Sequence, residues 1–87
     1  MQPTPVTDVL FFASLREAMQ IGSLQLDITE PLQVRALIGL IAAQSPAYAA
    51  ALAERELLVA INQQLASQQA IVTPGDTVAL FPPVTGG

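Results

Sequence analysis

Gly86 and Gly87 stand last in the 87-residue sequence, and the α-carboxylate of Gly87 is the group best placed for covalent chemistry. A glycine pair has no Cβ atoms, so it can enter a narrow channel in an extended shape. The chain has no Cys, no His and no Lys. That removes a thiolate nucleophile, a persulfide carrier, the usual zinc sites and Schiff-base chemistry. Covalent work therefore falls to the terminus. A carboxylate is a poor electrophile and must first be activated, most simply as an acyl-adenylate made from ATP. Displacement by a sulfur donor then gives a thiocarboxylate. Displacement by a thiol and then an amine gives a conjugate. The sequence has no glycine-rich phosphate loop with a Lys and no acid cluster for Mg²⁺. No cofactor or metal is expected on this chain, and a separate enzyme must spend the ATP.

A terminal Gly-Gly alone is more often the mark of a frayed end. Its context separates the two readings. Pro82 and Pro83 fix φ and stiffen the exit from an apolar run, and Val84-Thr85 favours extension. Residues 83–87 can then project roughly 17 Å. The expected division is a folded domain over 1–82 and an extended functional tail over 83–87.

Composition sets the outer limits. Hydrophobic residues make up 52% of the chain and charged residues 11%, with a net charge of −4. A chain this short buries one modest core, so part of that apolar surface is expected to face a partner. Arg16, Arg35 and Arg55 are scattered, which disfavours nucleic acid. No apolar run reaches membrane-spanning length, and the N-terminus lacks the cations of a secretory signal. A cytoplasmic location is the expectation.

The elements that must position the tail follow from periodicity. Residues 6–13 are β-branched and aromatic, a strand. Ser14-Leu15-Arg16-Glu17 reads as a capping box opening a short helix to about Gln20, with Gly22 as its left-handed C-cap. Leu24, Leu26 and Ile28 alternate with polar residues, a half-buried strand. Val34, Leu37, Ile38 and Ile41 mark one face of a longer helix that Gln33 caps poorly and Gly39 weakens. Ser45-Pro46 breaks it before a short helical turn over 47–53. Leu57–Ile61 is a strand ending at Asn62-Gln63. Residues 64–72 fit no single period and can hold a short edge strand. Pro74-Gly75-Asp76 is a turn, and Thr77–Phe81 the last strand. The order predicts an α+β domain with a mixed sheet packed on one main helix, the ubiquitin-like β-grasp plan.

Strand phasing gives a candidate surface. With Asp8 outward, Leu10 and Phe12 are outward too; with Thr77 outward, so are Ala79 and Phe81. If the two strands are neighbours, these four form one apolar patch beside the tail. A one-residue misphasing, or a loop covering the patch, fits the letters equally well.

The residues also resemble the small, sulfur-carrying subunit of molybdopterin synthase. The resemblance runs through Val9–Glu17, Val34–Leu37, Ala60–Gln63 and Gly75–Gly87, and the ending Phe-Pro-Pro-Val-Thr-Gly-Gly is highly specific. It departs at Pro74, Thr77 and Leu80, which concern a turn and a strand rather than the tail. The resemblance implies that a ubiquitin-activating-like adenylyltransferase adenylates Gly87 with ATP, and that Gly87 becomes a thiocarboxylate. It implies a two-plus-two heterotetramer with a larger catalytic subunit. The tail, Pro83, Val84, Thr85, Gly86 and Gly87, would enter that subunit's pocket, with Pro82 at its root among the partner-binding residues. There it would give sulfur to cyclic pyranopterin monophosphate. By the same resemblance Phe12 and Phe81 face the partner. Arg16 and Glu17 match the family, in a capping, salt-bridge or partner role. Two alternatives share the tail chemistry: a sulfur carrier for thiamine or tRNA thiolation, and a ubiquitin-like protein modifier. A binding domain with an inert tail is the remaining one.

Overall fold

The computed structural model describes residues 6–83. Val84, Thr85, Gly86 and Gly87 lie outside the described residues. Strand β1 (Thr7–Phe11) leads into helix α1 (Ala13–Met19), and β2 (Ser23–Leu26) returns antiparallel beside β1. A two-residue strand β3 (Leu32–Gln33) opens directly into α2 (Val34–Ala42), followed by α3 (Pro46–Ala53). Strands β4 (Leu58–Ile61), β5 (Gln64–Ala66), β6 (Ile71–Val72) and β7 (Thr77–Phe81) complete the order. The main sheet runs β2-β1-β7-β4-β5, parallel between β1 and β7 and antiparallel elsewhere. β3 and β6 form a separate antiparallel pair. This is the mixed sheet of the β-grasp plan.

The helices cover one face of the sheet. Val9 and Phe11 from β1, Val78 and Leu80 from β7, and Val59 from β4 meet Leu15, Leu37 and Ile41 from the helices. The expected i, i+3, i+7 face of α2 supplies Val34, Leu37 and Ile41, all without solvent exposure. Gln33 stands at its N-cap with no side-chain cap bond, as its type predicts. The loop after β5 compensates: Ala70 O and Gln68 O accept from the N–H groups of Val34 and Arg35, both at 2.9 Å. The first-turn donors that a Ser or Asp would have satisfied are met by distant backbone. α3 has a local cap, since Ser45 Oγ accepts from Ala47 N at 3.1 Å with Pro46 in the first turn.

Two expectations about α1 are corrected. Its N-cap is Phe12, not Ser14, and no side chain caps it. Phe12 N still donates to Leu80 O at 3.2 Å, so strand pairing holds it extended. Ala13 then turns the chain with φ 54, and Ser14 is already inside the first turn. Glu17 has no capping box to close. The C-cap is Gln20 at φ 64, its N–H donating to Arg16 O at 2.9 Å, rather than Gly22. Gly22 O instead accepts from Phe11 N at 2.9 Å and extends the β1–β2 pairing.

Residues 64–72 resolve into two pieces that belong to different sheets. Asn62 and Gln63, with φ 51 and 72, form the two-residue turn of a hairpin whose second strand is the edge strand β5. Beginning at Ile71, in β6, the chain pairs with β3 instead.

Candidate functional site

The sheet's second face carries no helix. The register puts Leu10 beside Ala79, Ala79 beside Ala60 and Ala60 beside Leu65, one apolar row across four strands. A second row pairs Phe81 with Leu58. Phe12 lies one step beyond the β1–β7 register, level with Phe81, and is 46% exposed. Leu10, Ala79 and Phe81 are half-buried, each flanked by strands on both sides. Leu10, Phe12, Ala79 and Phe81 therefore share one surface, at the end of the central strand that leads into Pro82 and Pro83.

Three members of this surface went unread in the sequence. Leu58 and Ala60 sit in an entirely apolar run, Leu57 to Ile61, which has no alternation to phase. Only the pairing with β7 tells which side they face. Leu65 follows two glutamines with only Ala66 beside it, and it is 80% exposed. The β4–β5 hairpin places it at the end of the row.

Pro82 is half-buried and Pro83 exposed. Proline fixes φ near −65° and has no N–H to extend a sheet ladder, so β7 ends at Phe81 and the chain departs as a stiff stem. Asp76 secures the other end of β7. Its Oδ2 accepts from Thr73 N at 2.9 Å and Thr73 Oγ1 at 3.1 Å, and its Oδ1 accepts from Asn62 Nδ2 at 3.1 Å. Asn62 Oδ1 in turn accepts from Thr77 N at 3.0 Å. Gly75 N donates to Thr7 Oγ1 at 3.2 Å and Asp8 N to Asp76 O at 3.2 Å. The central strand is thus fastened to both neighbours at its start. The Thr73 backbone N–H is the main cause that holds the Asp76 carboxyl below its ordinary value; burial opposes it, and the Asn62 amide and the Thr73 hydroxyl add smaller lowering effects.

Among the described residues no group of three His, Cys, Asp or Glu side chains could hold a metal ion. The Arg16–Glu17 pair forms no salt bridge; the ion pair present among the described residues joins Arg55 to Glu54 at 3.9 Å. What the site can do is dock. An apolar sheet face this broad, continuous with a stiff stem, suits a protein partner better than a small molecule.

Comparison with known proteins fits this architecture. The model of the ThiS family matches residues 9–87. The molybdopterin synthase sulfur carrier subunit of Escherichia coli (strain K12) is 47% identical over 79 residues, covering 91% of this chain and 96% of that protein. The crystal structure of SAMP1 from Haloferax volcanii superposes with a TM-score of 0.76 at 25% identity, over 94% of this chain and 99% of that one. A complex of subunits 1 and 2 of molybdopterin-converting factor from Helicobacter pylori 26695 includes a chain with a TM-score of 0.63. At 20% identity, over 94% of this chain and 99% of that one, it shows the fold alone.

Proposed function

Because this chain belongs to the ThiS family, we propose that it is the sulfur-carrier subunit of a molybdopterin synthase. The observation that carries the reading is the apolar open face, Leu10, Phe12, Ala79 and Phe81, running at the end of β7 into the Pro82-Pro83 stem. Residues 1–82 act as the docking domain and 83–87 as the delivery tail. A carrier needs a surface for its partners and a reactive tip, and the surface here ends where the stem toward the tip begins.

The chemistry proceeds at Gly87. A ubiquitin-activating-like adenylyltransferase transfers AMP from ATP to the Gly87 carboxylate and releases pyrophosphate. A sulfur donor displaces AMP, leaving a C-terminal thiocarboxylate. The sulfur must come from outside, since the chain has no Cys. The thiocarboxylate tail, with Gly86 giving it a thin profile, then enters the large subunit. There its sulfur forms a C–S bond to cyclic pyranopterin monophosphate, and water cleaves the acyl–sulfur bond to restore the carboxylate. Two such deliveries make the dithiolene. This chain is the sulfur-donating subunit of the enzyme and is not catalytic alone. It binds no cofactor of its own, and assembles as a two-plus-two heterotetramer with the large subunit. The name of the Escherichia coli relative, a subunit of a synthase, supports such a partner. No described helix is long and apolar enough to cross a membrane, and dependence on ATP favours the cytoplasm.

The test is reconstitution. Thiocarboxylated chain, the large subunit and cyclic pyranopterin monophosphate should yield molybdopterin, and the chain should return with oxygen in place of sulfur at Gly87. No product would count against the reading. The likeness to SAMP1 keeps protein modification as a second reading. Intact-mass analysis separates the two: an oxygen-for-sulfur exchange marks carriage, and branched adducts on other proteins mark conjugation.

A further inference from the structure

Three arginines supply all the cationic side chains of a chain with net charge −4. Two of them are engaged. Arg35 Nε donates to Gln33 Oε1 at 2.8 Å. Arg55 Nη1 donates to Ser14 O at 3.1 Å, and its Nη2 lies 3.9 Å from Glu54 Oε2. The Arg16 side chain has no hydrogen bond or ion pair among the described residues, although Glu17 is its neighbour. Its guanidinium is seated nonetheless. It lies against Gly22, where a Cβ would stand 3.2 Å from both Arg16 Cζ and Nε. Gly22 is not among the positive-φ residues, so the backbone there does not demand glycine. The missing side chain makes room for the guanidinium. Arg16 and Gly22, with Ala13, Glu17, Gln20 and Ile21, line an open cleft of about 460 Å³.

We propose that this cleft is a carboxylate-reading anchor beside the docking face: Arg16, seated on Gly22, pairs with an Asp or Glu side chain of the protein that docks there. The proposal rests on the reading of the open face given above. The cleft adjoins the face: Ala13, which follows the exposed Phe12, lines it, and so does Gly22, whose O accepts from Phe11 N at 2.9 Å at the same end of β1. A guanidinium offers a planar fork of donors that matches a carboxylate bidentately. Glu17 in the same cleft and the overall negative charge repel a free anion. A carboxylate already held by a docked protein overcomes that repulsion, because the apolar contacts have restricted its freedom. In the isolated domain the unpaired guanidinium is solvated. Under a partner lacking the acid it becomes a desolvated, unmatched charge, which penalises wrong partners. Arg16 is thus a specificity residue, and Gly22 positions it.

The experiment titrates the full chain against the large subunit of molybdopterin synthase from the same organism, at low and high salt. Arg16→Gln should weaken binding on the order of tenfold at low salt. The gap should narrow at high salt, and Arg16→Lys should restore only part of the affinity. Gly22→Ala keeps the charge but displaces the guanidinium. It should leave the melting temperature in place and weaken binding roughly threefold, a loss like that of a single exposed ion pair. Phe81→Asp serves as the control for docking itself. Equal or tighter binding by Arg16→Gln, with Phe81→Asp impaired, overturns the anchor and leaves the docking face standing. Failure of the unaltered chain to bind overturns both.

Discussion

The two faces of the main sheet are built from similar residues and meet opposite fates. On the helix side Val9, Phe11, Val59, Val78 and Leu80 are at most 2% exposed. On the open side Leu10, Leu58, Ala60, Ala79 and Phe81 are half-buried, while Phe12 and Leu65 are exposed. Side-chain type does not separate the two sets. What separates them is whether α1, α2 and α3 lie over them. An apolar strand residue is core on one side and contact surface on the other, and one-residue alternation decides which. The high hydrophobic fraction of so small a chain is the sum of both faces.

Four substitutions test how sharp that contrast is. Phe11→Ala on the covered face should cost about 3–5 kcal/mol in chemical denaturation, the price of a buried aromatic cavity. A loss near zero would mean that the helix side is not a packed core. Phe81→Asp on the open face should cost only about 1–2 kcal/mol of stability, since that side chain is only partly buried. Its affinity for the large subunit should drop by about 2 kcal/mol or more if Phe81 is an interface anchor. Wild-type affinity would erase the functional contrast between the faces. Asp76→Ala loosens the clamp from which both faces diverge, and should cost about 1–2 kcal/mol at neutral pH. The Asp76 carboxyl is held below its unfolded value of 3.8. Its contribution is therefore complete above the unfolded value and is lost as pH falls through the lower folded one. The gap between variant and wild type should begin to close as pH falls below about 4 and narrow further through the folded value, and parallel acid-unfolding curves would contradict the assignment. Gly39→Ala, on the solvent side of α2 where a Cβ meets nothing within 4 Å, should stabilise by up to about 1 kcal/mol. A destabilisation there would reveal a cover on that side of the helix.

Much of the architecture was legible because local signals agreed with tertiary need. Alternation in Ser23–Leu26, the 3.6-residue period of Val34–Ile41 and the Pro74-Gly75-Asp76 turn each name their element. The failures occur where distant pairing outweighs a local preference. Ser14 and Glu17 match a capping box, yet the bond from Phe12 N to Leu80 O sets the start of α1 two residues earlier. Ala13 and Gln20 take left-handed backbone that neither residue type favours, so nothing in the letters marks them. Residues 64–72 were opaque because their two strands answer to different sheets. The open face was half legible: Asp8 and Thr77 phase β1 and β7, whereas Leu58 and Ala60 have no polar neighbour to phase them. The tail is the reverse case. Its chemistry is read from Gly86 and Gly87 in the sequence, and these residues lie outside the described structure.

The position of β7 bears on how the protein is made. β7 is the last strand in chain order and the middle strand of the main sheet, with β1 on one side and β4 on the other. A ribosome emits every other element before it, and none of them can close the sheet alone. Folding therefore waits for Thr77–Phe81, and with them for the residues that lead to the glycines. A product cut short before β7 lacks the centre of its sheet and is exposed to proteolysis. The copies that fold are thus the ones that have reached Phe81, and a chain cut before β7 cannot present the open face.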